Sequence, residues 1–145
     1  MKKFKLFAIL FVAVGLLISG VIFAYDRPLM AVQLPAPVKA FVQKNFQGQT
    51  IVYAEKDFTT YECHLSDGTQ VDLSMKGDWK KVDTGYMSAV PAALVPIPIR
   101  QYVNGSFPGA IITKIEKEVY GYDIELSDEI ELKFTRNGTL LLMED

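Results

Sequence analysis

Cysteine and histidine are scarce in this 145-residue sequence, in which each occurs once, as Cys63 and His64. A single cysteine excludes an intrachain disulfide, and one residue of each type cannot supply the usual ligands of a zinc site. The two residues are adjacent in a segment whose alternating pattern predicts a strand. Their side chains therefore point to opposite faces and cannot form a catalytic dyad. We interpret Cys63 as a buried small hydrophobe and His64 as a solvent-facing polar residue.

Motifs for other kinds of chemistry are also missing. The sequence has no glycine-rich phosphate loop, no paired-carboxylate signature and no zinc-protease motif. Its acidic residues are spread at strand spacing and form no loop of clustered oxygen ligands of the kind that holds calcium. We therefore expect no catalytic residues, no metal ligands and no cofactor.

A basic excess is absent from everything beyond the first 24 residues. All 17 acidic residues lie beyond Ala24, together with 12 of the 15 basic residues, which gives that part a formal charge of −5. Nucleic-acid-binding proteins need a basic footprint, and anionic membrane surfaces attract polybasic segments. The charge therefore argues against both kinds of partner.

The first 24 residues have the layout of a secretory signal peptide. Lys2, Lys3 and Lys5 precede an uncharged, strongly apolar run from Leu6 to Ala24, and a polar segment follows. This layout predicts export with cleavage after Ala24. The run is also about long enough for an uncleaved membrane anchor with its positive flank in the cytoplasm. Both alternatives place the remainder in the periplasm or outside the cell, and only this segment would contact the membrane.

The strongest pattern in the sequence is an internal repeat. Residues 34–84 align without a gap with residues 95–145, at a constant offset of 61, and 13 positions are identical. The identities include a three-residue run that starts at Leu65 in the first unit and at Leu126 in the second. Chance does not hold one offset over about fifty residues with hydrophobic type retained, so we interpret the pattern as a tandem duplication.

Each unit predicts one helix followed by strands. The helix begins at Pro35 or Pro96, whose fixed φ suits a first helical turn, and stops at Gly48 or Gly109. Between these residues, apolar side chains recur at helical spacing: Val38, Phe41, Val42 and Phe46, and Ile99, Tyr102, Val103 and Phe107. Period-two alternation then predicts a four-stranded antiparallel meander with the helix on its apolar face. Glu129 replaces the turn glycine of the first unit, Gly68, which predicts a looser hairpin.

The predicted fold class is therefore α+β, with this unit present twice in one composite domain. We expect a signal peptide at 1–24, an N-terminal extension at 25–33, a first unit at 34–84, a connector at 85–94 and a second unit at 95–145. The connector is short and apolar, unlike a free linker, so the sheets of the two units should join or pack closely.

The outward-facing side chains of the strands form the candidate partner-binding surface. They are mainly acidic, and the candidates are Glu62, His64, Asp72, Asp123, Glu125, Glu131 and Lys133. Such a face favours a basic patch on a partner, through steering and register. The alternative is that it is only the solvated side of an amphipathic sheet. Aromatic residues near the turns could anchor an interface or, as we favour, cap the ends of the core: Phe58, Trp79, Tyr86 and Tyr120.

Motifs in both units resemble those of a known family. The first unit carries LP..V..FV..NF.G, then Y-E-x-x-L-x-D-G-T and G-x-W, and the second carries VP..I..YV...FPG and Y-D-x-x-L. Together they resemble the PepSY-like family of β-lactamase-inhibitor-like proteins, exported mostly in Bacteroidetes. The resemblance covers nearly all of residues 25–145. It implies a tandem α–β meander shared with proteinaceous β-lactamase inhibitors, whose open sheet face can grip another protein, and it implies no catalytic residues.

We therefore expect an exported, non-catalytic module that binds a protein or peptide partner in the cell envelope through its open sheet face, in the manner of an inhibitor. The alternative hypothesis is a periplasmic protein that binds a small ligand or a cation in a cleft between the two units. A hydrolase is disfavoured because the sequence offers no positioned general base.

Overall fold

The computed structural model describes residues 27–29, of which only the backbone is considered, and residues 33–86 and 88–145. The predicted signal peptide, 1–24, lies outside these residues. So does part of the predicted N-terminal extension, 25–33. Among the described residues, no helix is both long and apolar enough to cross a membrane.

A proline residue precedes each of the two helices, as the sequence predicts. Helix α1 spans Ala36–Asn45, and the carbonyl oxygen of Pro35 accepts its first backbone hydrogen bonds. Helix α2 spans Ile97–Ser106 and begins in the same way after Pro96. Both helices end before the glycines that were predicted to stop them. Those glycines lie in the following turn with φ of 83° and 89°, a conformation that favours glycine.

The strands form one antiparallel sheet in which every strand pairs with the next strand along the chain. The described residues contain nine strands: β1 (Arg27–Leu29), β2 (Ile51–Lys56), β3 (Thr60–Leu65), β4 (Gln70–Ser74), β5 (Trp79–Asp83), β6 (Ile112–Lys117), β7 (Gly121–Leu126), β8 (Glu131–Thr135) and β9 (Leu140–Glu144). Strand β1 falls in the predicted N-terminal extension and was not predicted. Strands β5 and β6 pair directly, so the two sets of four strands join edge to edge, as expected from the connector.

The second helix and its four strands repeat the first set at a displacement of 61 residues. The repetition extends to an irregularity in pairing. The register of β2 against β3 shifts by one residue between Ile51 and Tyr53, and that of β6 against β7 shifts between Ile112 and Lys114. The equivalent positions of the two sets therefore lie on equivalent faces of the sheet.

The core lies between the helices and one face of the sheet. Along β3, Tyr61, Cys63 and Leu65 are buried and alternate with partly exposed residues, as expected for a sheet covered on one side. Val38 of α1 is fully buried in the same cluster. In the second set, Tyr102 of α2 meets the fully buried Phe134 edge-on, with ring centroids 5.5 Å apart. Burial of each such side chain contributes about 1.5–3 kcal/mol.

The hairpin at Glu129 is as tight as its counterpart at Gly68. Gly68 has φ of 89° and donates its N–H to Leu65 O at 2.9 Å. Glu129 has φ of 69° and donates to Leu126 O at 3.0 Å. The prediction of a looser hairpin is therefore wrong. Glu129 adopts the left-handed conformation itself, at a cost of about 1–2 kcal/mol.

The connector, 85–94, runs against the sheet. Val90 is buried, and its N–H donates to Ile112 O at 2.8 Å. Just before it, both the N–H and the Oγ1 of Thr84 donate to Thr113 O at 2.9 Å. These bonds fix the path of the chain between β5 and β6 and bring the two sets of strands into one sheet.

Candidate functional site

The sheet face opposite the helices, called the open face from here on, carries two rows of directly opposed residues. Each row crosses eight strands, from β2 to β9. The first row consists of Glu55, Glu62, Asp72, Lys81, Glu116, Asp123, Lys133 and Leu142. The second row consists of Tyr53, His64, Gln70, Asp83, Lys114, Glu125, Glu131 and Glu144.

All seven residues proposed from the sequence as a partner surface lie in these rows. Glu62, Asp72, Asp123 and Lys133 are in the first row. His64, Glu125 and Glu131 are in the second. The structure thus places them on one face, but it spreads them over strands β3, β4, β7 and β8. Adjacent strands lie about 4.8 Å apart, so the seven residues do not form a single pocket.

Sequence reasoning missed six further charged residues of the open face: Glu55, Lys81, Asp83, Lys114, Glu116 and Glu144. The one-residue register shift explains part of this omission. Ile51 pairs with the buried Leu65, whereas Tyr53, two residues later, pairs with the outward-facing His64. Counting by twos from Ile51 therefore assigns Tyr53 and Glu55 to the wrong face. One signal was available, since glutamate occupies both Glu55 and its equivalent in the second unit, Glu116.

The net negative charge of the chain is concentrated on the open face. The two rows contain nine carboxylates and three lysines. Beyond residue 24, the rest of the sequence holds the remaining eight acidic residues and nine basic residues. The formal charge of −5 therefore comes from this face alone, and the rest of that part of the chain is close to neutral.

Two triplets of carboxylates occupy adjacent positions across the strands. One consists of Glu55, Glu62 and Asp72, on β2, β3 and β4. The other, on β7, β8 and β9, consists of Glu125, Glu131 and Glu144. Like charges directly opposite each other destabilise a sheet. The register therefore places like charges opposite one another in two parts of the open face.

Two ion pairs and one hydrogen bond partly offset this repulsion. Lys114 Nζ lies 3.7 Å from Glu125 Oε2, and Lys133 Nζ lies 3.8 Å from Glu144 Oε2. His64 Nε2 lies 2.8 Å from Glu62 Oε1, and the His64 ring centroid is 5.6 Å from that of Tyr53. Partly exposed pairs of this kind each contribute about 0–1 kcal/mol. They leave most of the negative field available to a partner.

A hydrogen bond joins the β6–β7 hairpin to the open face. The Tyr120 hydroxyl donates to Asp123 Oδ1. This bond raises the pKa of Tyr120 to about 12, with smaller contributions from desolvation and from the charges of Asp123, Glu118 and Glu116. Tyr120 thus remains a neutral donor that orients one carboxylate of the first row.

Cys63 and His64 point to opposite faces, as predicted. Cys63 is fully buried in the core, and His64 is partly exposed beside Glu62. Burial raises the pKa of Cys63 to about 12, with smaller contributions from the charges of Asp72 and Glu62. The thiol is therefore neutral at physiological pH and has no nucleophilic role in this position.

The aromatic residues near the turns divide into two kinds. Trp79 packs against the core, and the Lys117 ammonium lies 3.9 Å from its ring centroid. Desolvation lowers the pKa of Lys117, although the charge of Asp78 opposes this shift. Phe58, Tyr86 and Tyr120 are exposed. The core-capping interpretation therefore fits Trp79 and not the other three.

Concave sites on the open face are shallow. One, of about 50 Å³, is lined by charged residues of β6, β7 and β8 that include Lys114, Asp123 and Lys133. It lies within the second set of strands rather than between the two units, where the alternative hypothesis placed a cleft. Among the described residues, no three His, Cys, Asp or Glu side chains are grouped so that they could hold a metal ion.

Among the solved structures that this chain resembles, three match over 83% of its length. A "putative periplasmic protein of unknown function" from Bacteroides vulgatus matches over 99% of its own length, with a TM-score of 0.76 and 28% identity. A "putative calcium-regulated periplasmic protein" from Bacteroides thetaiotaomicron matches over 97%, with 0.75 and 31%. A second periplasmic protein from Bacteroides vulgatus matches over 97%, with 0.74 and 30%.

A comparison with curated proteins gives no match. A family model does match, over residues 25–77 and again over residues 59–142. Its description is "Putative beta-lactamase-inhibitor-like, PepSY-like", and the two matches together span both helices and strands β1 to β8 and reach into β9. The chain therefore belongs to this PepSY-like family.

Proposed function

We propose that the protein is an exported, non-catalytic binding module that grips a protein or peptide partner in the cell envelope through its open face, in the manner of an inhibitor. The observation that carries this proposal is the pair of carboxylate triplets, which repel one another in the free protein. A basic partner would relieve that repulsion on binding, so the partner gains affinity from an arrangement that destabilises the free sheet.

The spacing of the triplets describes the partner surface. Their central residues, Glu62 on β3 and Glu131 on β8, are five strands apart in the sheet. At about 4.8 Å per strand, this separation is about 24 Å. The partner would therefore present two basic patches about 24 Å apart. Between the triplets, Lys81 lies opposite Glu116 and Lys114 lies opposite Asp83, so the centre of the open face carries both signs of charge.

Family membership and the structural neighbours support the same proposal. The family description is inhibitor-like, and the neighbours are described as periplasmic. We propose the same compartment for this chain, with residues 1–24 acting as a cleaved signal peptide. We also propose that residues 34–84 and 95–145 arose by tandem duplication, with 25–33 as an extension and 85–94 as connector. The equal displacement of every helix and strand, and of the register shift, supports this origin.

The test is affinity capture from the periplasm with the wild-type protein and a triple charge-reversal variant: Glu62→Lys, Asp123→Lys and Glu125→Lys. The matched control reverses three acidic residues outside the open face: Asp57→Lys, Glu118→Lys and Asp128→Lys. Both variants change the net charge equally, so only position differs. We expect the affinity of a purified captured partner to fall at least about tenfold with the open-face variant and to change little with the control.

Binding should also weaken as salt is raised from 50 to 500 mM, because the Debye screening length falls from about 14 Å to about 4 Å over that range. Equal affinity for all three proteins, with the folds intact, would remove the open face from the binding surface. The proposal that the protein is not an enzyme is tested separately, by incubating it with generic esterase and peptidase substrates. Turnover above that of a buffer blank would refute it.

Cation binding at the open face is the second candidate function. The carboxylate triplets favour it, and one structural neighbour is described as calcium-regulated. The side chains would have to converge first, because the described residues contain no ready metal-holding group. Calcium titration monitored by thermal unfolding separates the two candidates. A saturable rise in melting temperature that the open-face variant loses, together with an empty capture, would favour the cation.

A further inference from the structure

The outer edge of β9 differs from the edge at the other end of the sheet. In the part of the chain that the structure describes, β1 and β9 are the two edge strands. Strand β1 is three residues long and contains Pro28, and both features discourage the addition of another strand. Strand β9 has five residues, four of them apolar. Leu141, Leu142 and Met143 are 54%, 44% and 50% exposed, so this edge is apolar and unprotected.

The first set of strands shows how the equivalent edge is covered. Strand β5 occupies the place that β9 occupies 61 residues later, and β6 pairs along the outer edge of β5. Val82 lies opposite Ile115 on β6 and is 0% exposed. Its equivalent on β9 is Met143, which is 50% exposed. The position is thus buried on β5, where β6 pairs alongside, and exposed on β9, where no further strand is present among the described residues.

The backbone of β9 is oriented to accept such a strand. Thr84, just beyond the end of β5, donates its N–H to Thr113 O at 2.9 Å. The backbone groups of Thr84 therefore point toward the chain that leads into β6. Alternate residues of an antiparallel strand bond to the same neighbour, so Val82 also directs its backbone groups at β6. By equivalence, the N–H and C=O of Met143 point away from β8, where an added strand would lie.

The β5–β6 pair also indicates the side chains of that strand. Opposite Asp83, Val82 and Lys81, in that order, β6 presents a basic residue, an apolar residue and an acidic residue: Lys114, Ile115 and Glu116. At the same three positions β9 has Glu144, Met143 and Leu142. An antiparallel strand that matches β9 would therefore carry a basic residue opposite Glu144, followed by apolar residues opposite Met143 and Leu142.

Charge near the edge favours a foreign strand over a second copy of this chain. Glu129, Glu131, Glu144 and Asp145 line one shallow concavity at this corner, which suits a basic residue. Pairing of two β9 strands would instead join two open faces, each with nine carboxylates and three lysines, into one continuous surface. That arrangement is opposed by repulsion.

We propose that β9 accepts an extended segment of a partner protein as a tenth, antiparallel strand. The segment carries a lysine or arginine opposite Glu144 and apolar residues opposite Met143 and Leu142. Backbone hydrogen bonds to Met143 supply affinity, and the alternating side chains supply specificity, as in other cases of strand addition. Glu144 and Leu142 also belong to the open face, but the backbone bonds to Met143 form at the sheet edge and do not depend on the function proposed above.

The test uses a labelled peptide with the sequence of residues 111–118 in which isoleucine replaces Glu116, and fluorescence anisotropy with the purified protein. Met143→Pro removes the outward N–H without removing a bond to β8, because edge strands tolerate proline where the N–H faces solvent. Met143→Ala keeps the N–H and is the matched control. We expect Met143→Pro to weaken binding at least tenfold and Met143→Ala less than about threefold.

A charge exchange keeps the test decisive if Met143→Pro unfolds the protein. Glu144→Lys should bind the first peptide more weakly than the wild type does. A second peptide, in which glutamate replaces the first lysine, should bind Glu144→Lys more tightly than it binds the wild type. Equal affinity for the wild type and Met143→Pro would overturn the proposal, as would equal binding of a scrambled peptide. A wild-type dimer that dissociates in Met143→Pro would also overturn it and would assign the edge to a second copy.

Discussion

The buried thiol of Cys63 makes the free energy of unfolding of this protein fall as the pH rises in the alkaline range. Burial, with a smaller contribution from the charges of Asp72 and Glu62, raises the thiol pKa from 9.0 to about 12 in the folded protein. The unfolded chain releases the proton near pH 9, whereas the folded chain retains it. The stabilisation is therefore fully present below pH 9 and is lost as the pH rises toward 12.

The size of this effect follows from the two pKa values. Between pH 8 and pH 10, the thiol of the unfolded chain changes from mostly protonated to mostly ionised, while the folded thiol stays protonated. The corresponding loss is about 1.4 kcal/mol in the free energy of unfolding. Cys63→Val removes the titrating group and keeps an apolar side chain of similar size at a position where the second unit has Ile124.

The assay is urea-induced unfolding of both proteins at pH 7, 8, 9 and 10 under reducing conditions. Tyrosine and lysine residues titrate in both proteins, so their effects cancel in the difference between the two. We expect that difference to change by about 1.4 kcal/mol in favour of Cys63→Val from pH 8 to pH 10. Parallel pH profiles would refute the reasoning, because they would mean that the thiol ionises equally in the folded and unfolded chains.

Two further predictions concern the β6–β7 hairpin and the packing of glycine. In a spectrophotometric titration, the Tyr120 phenol should ionise near pH 12, and in Asp123→Asn its pKa should fall toward 10. Subtracting the titration of Tyr120→Phe identifies the signal of Tyr120. An unchanged pKa in Asp123→Asn would mean that the hydrogen bond does not cause the shift. Gly121→Ala should lower the free energy of unfolding by at least about 1–3 kcal/mol, because the new Cβ would lie 2.0 Å from Phe134 O. Gly105→Ala, whose new Cβ would meet nothing within 4 Å, should raise the free energy of unfolding by up to about 1 kcal/mol. A change of the same sign in both variants would contradict the close approach of Gly121 to Phe134.

Local patterns predicted the helices, most of the strands and the face to which each β3 residue points. The spacing of Val38, Phe41 and Val42 is sufficient to predict α1, because it places these apolar side chains in one stripe along the helix, which one face of the sheet can cover. Strand β1 could not be predicted in this way. It has three residues, includes Pro28, and exists through pairing with β2 rather than through its own periodicity.

The open face was only partly predictable because its extent depends on pairing between distant segments. The alternation around Glu62 and Asp123 identified seven of its residues. The alignment of Lys81 with Glu116 depends on the register of β5 against β6, which the short connector does not specify. The register shift near Ile51 depends on the fit between two strands, and a period-two pattern carries no information about it.

The order of the strands has a consequence for how the chain folds. Every strand pairs with its predecessor and its successor in the sequence, with a helix inserted before β2 and before β6. Among the described strands, pairing is always between strands that are consecutive in the sequence, so contact order is low for a sheet of this size and folding should be fast. The described sheet can therefore grow one strand at a time, from β1 to β9, as each successive strand becomes available for pairing.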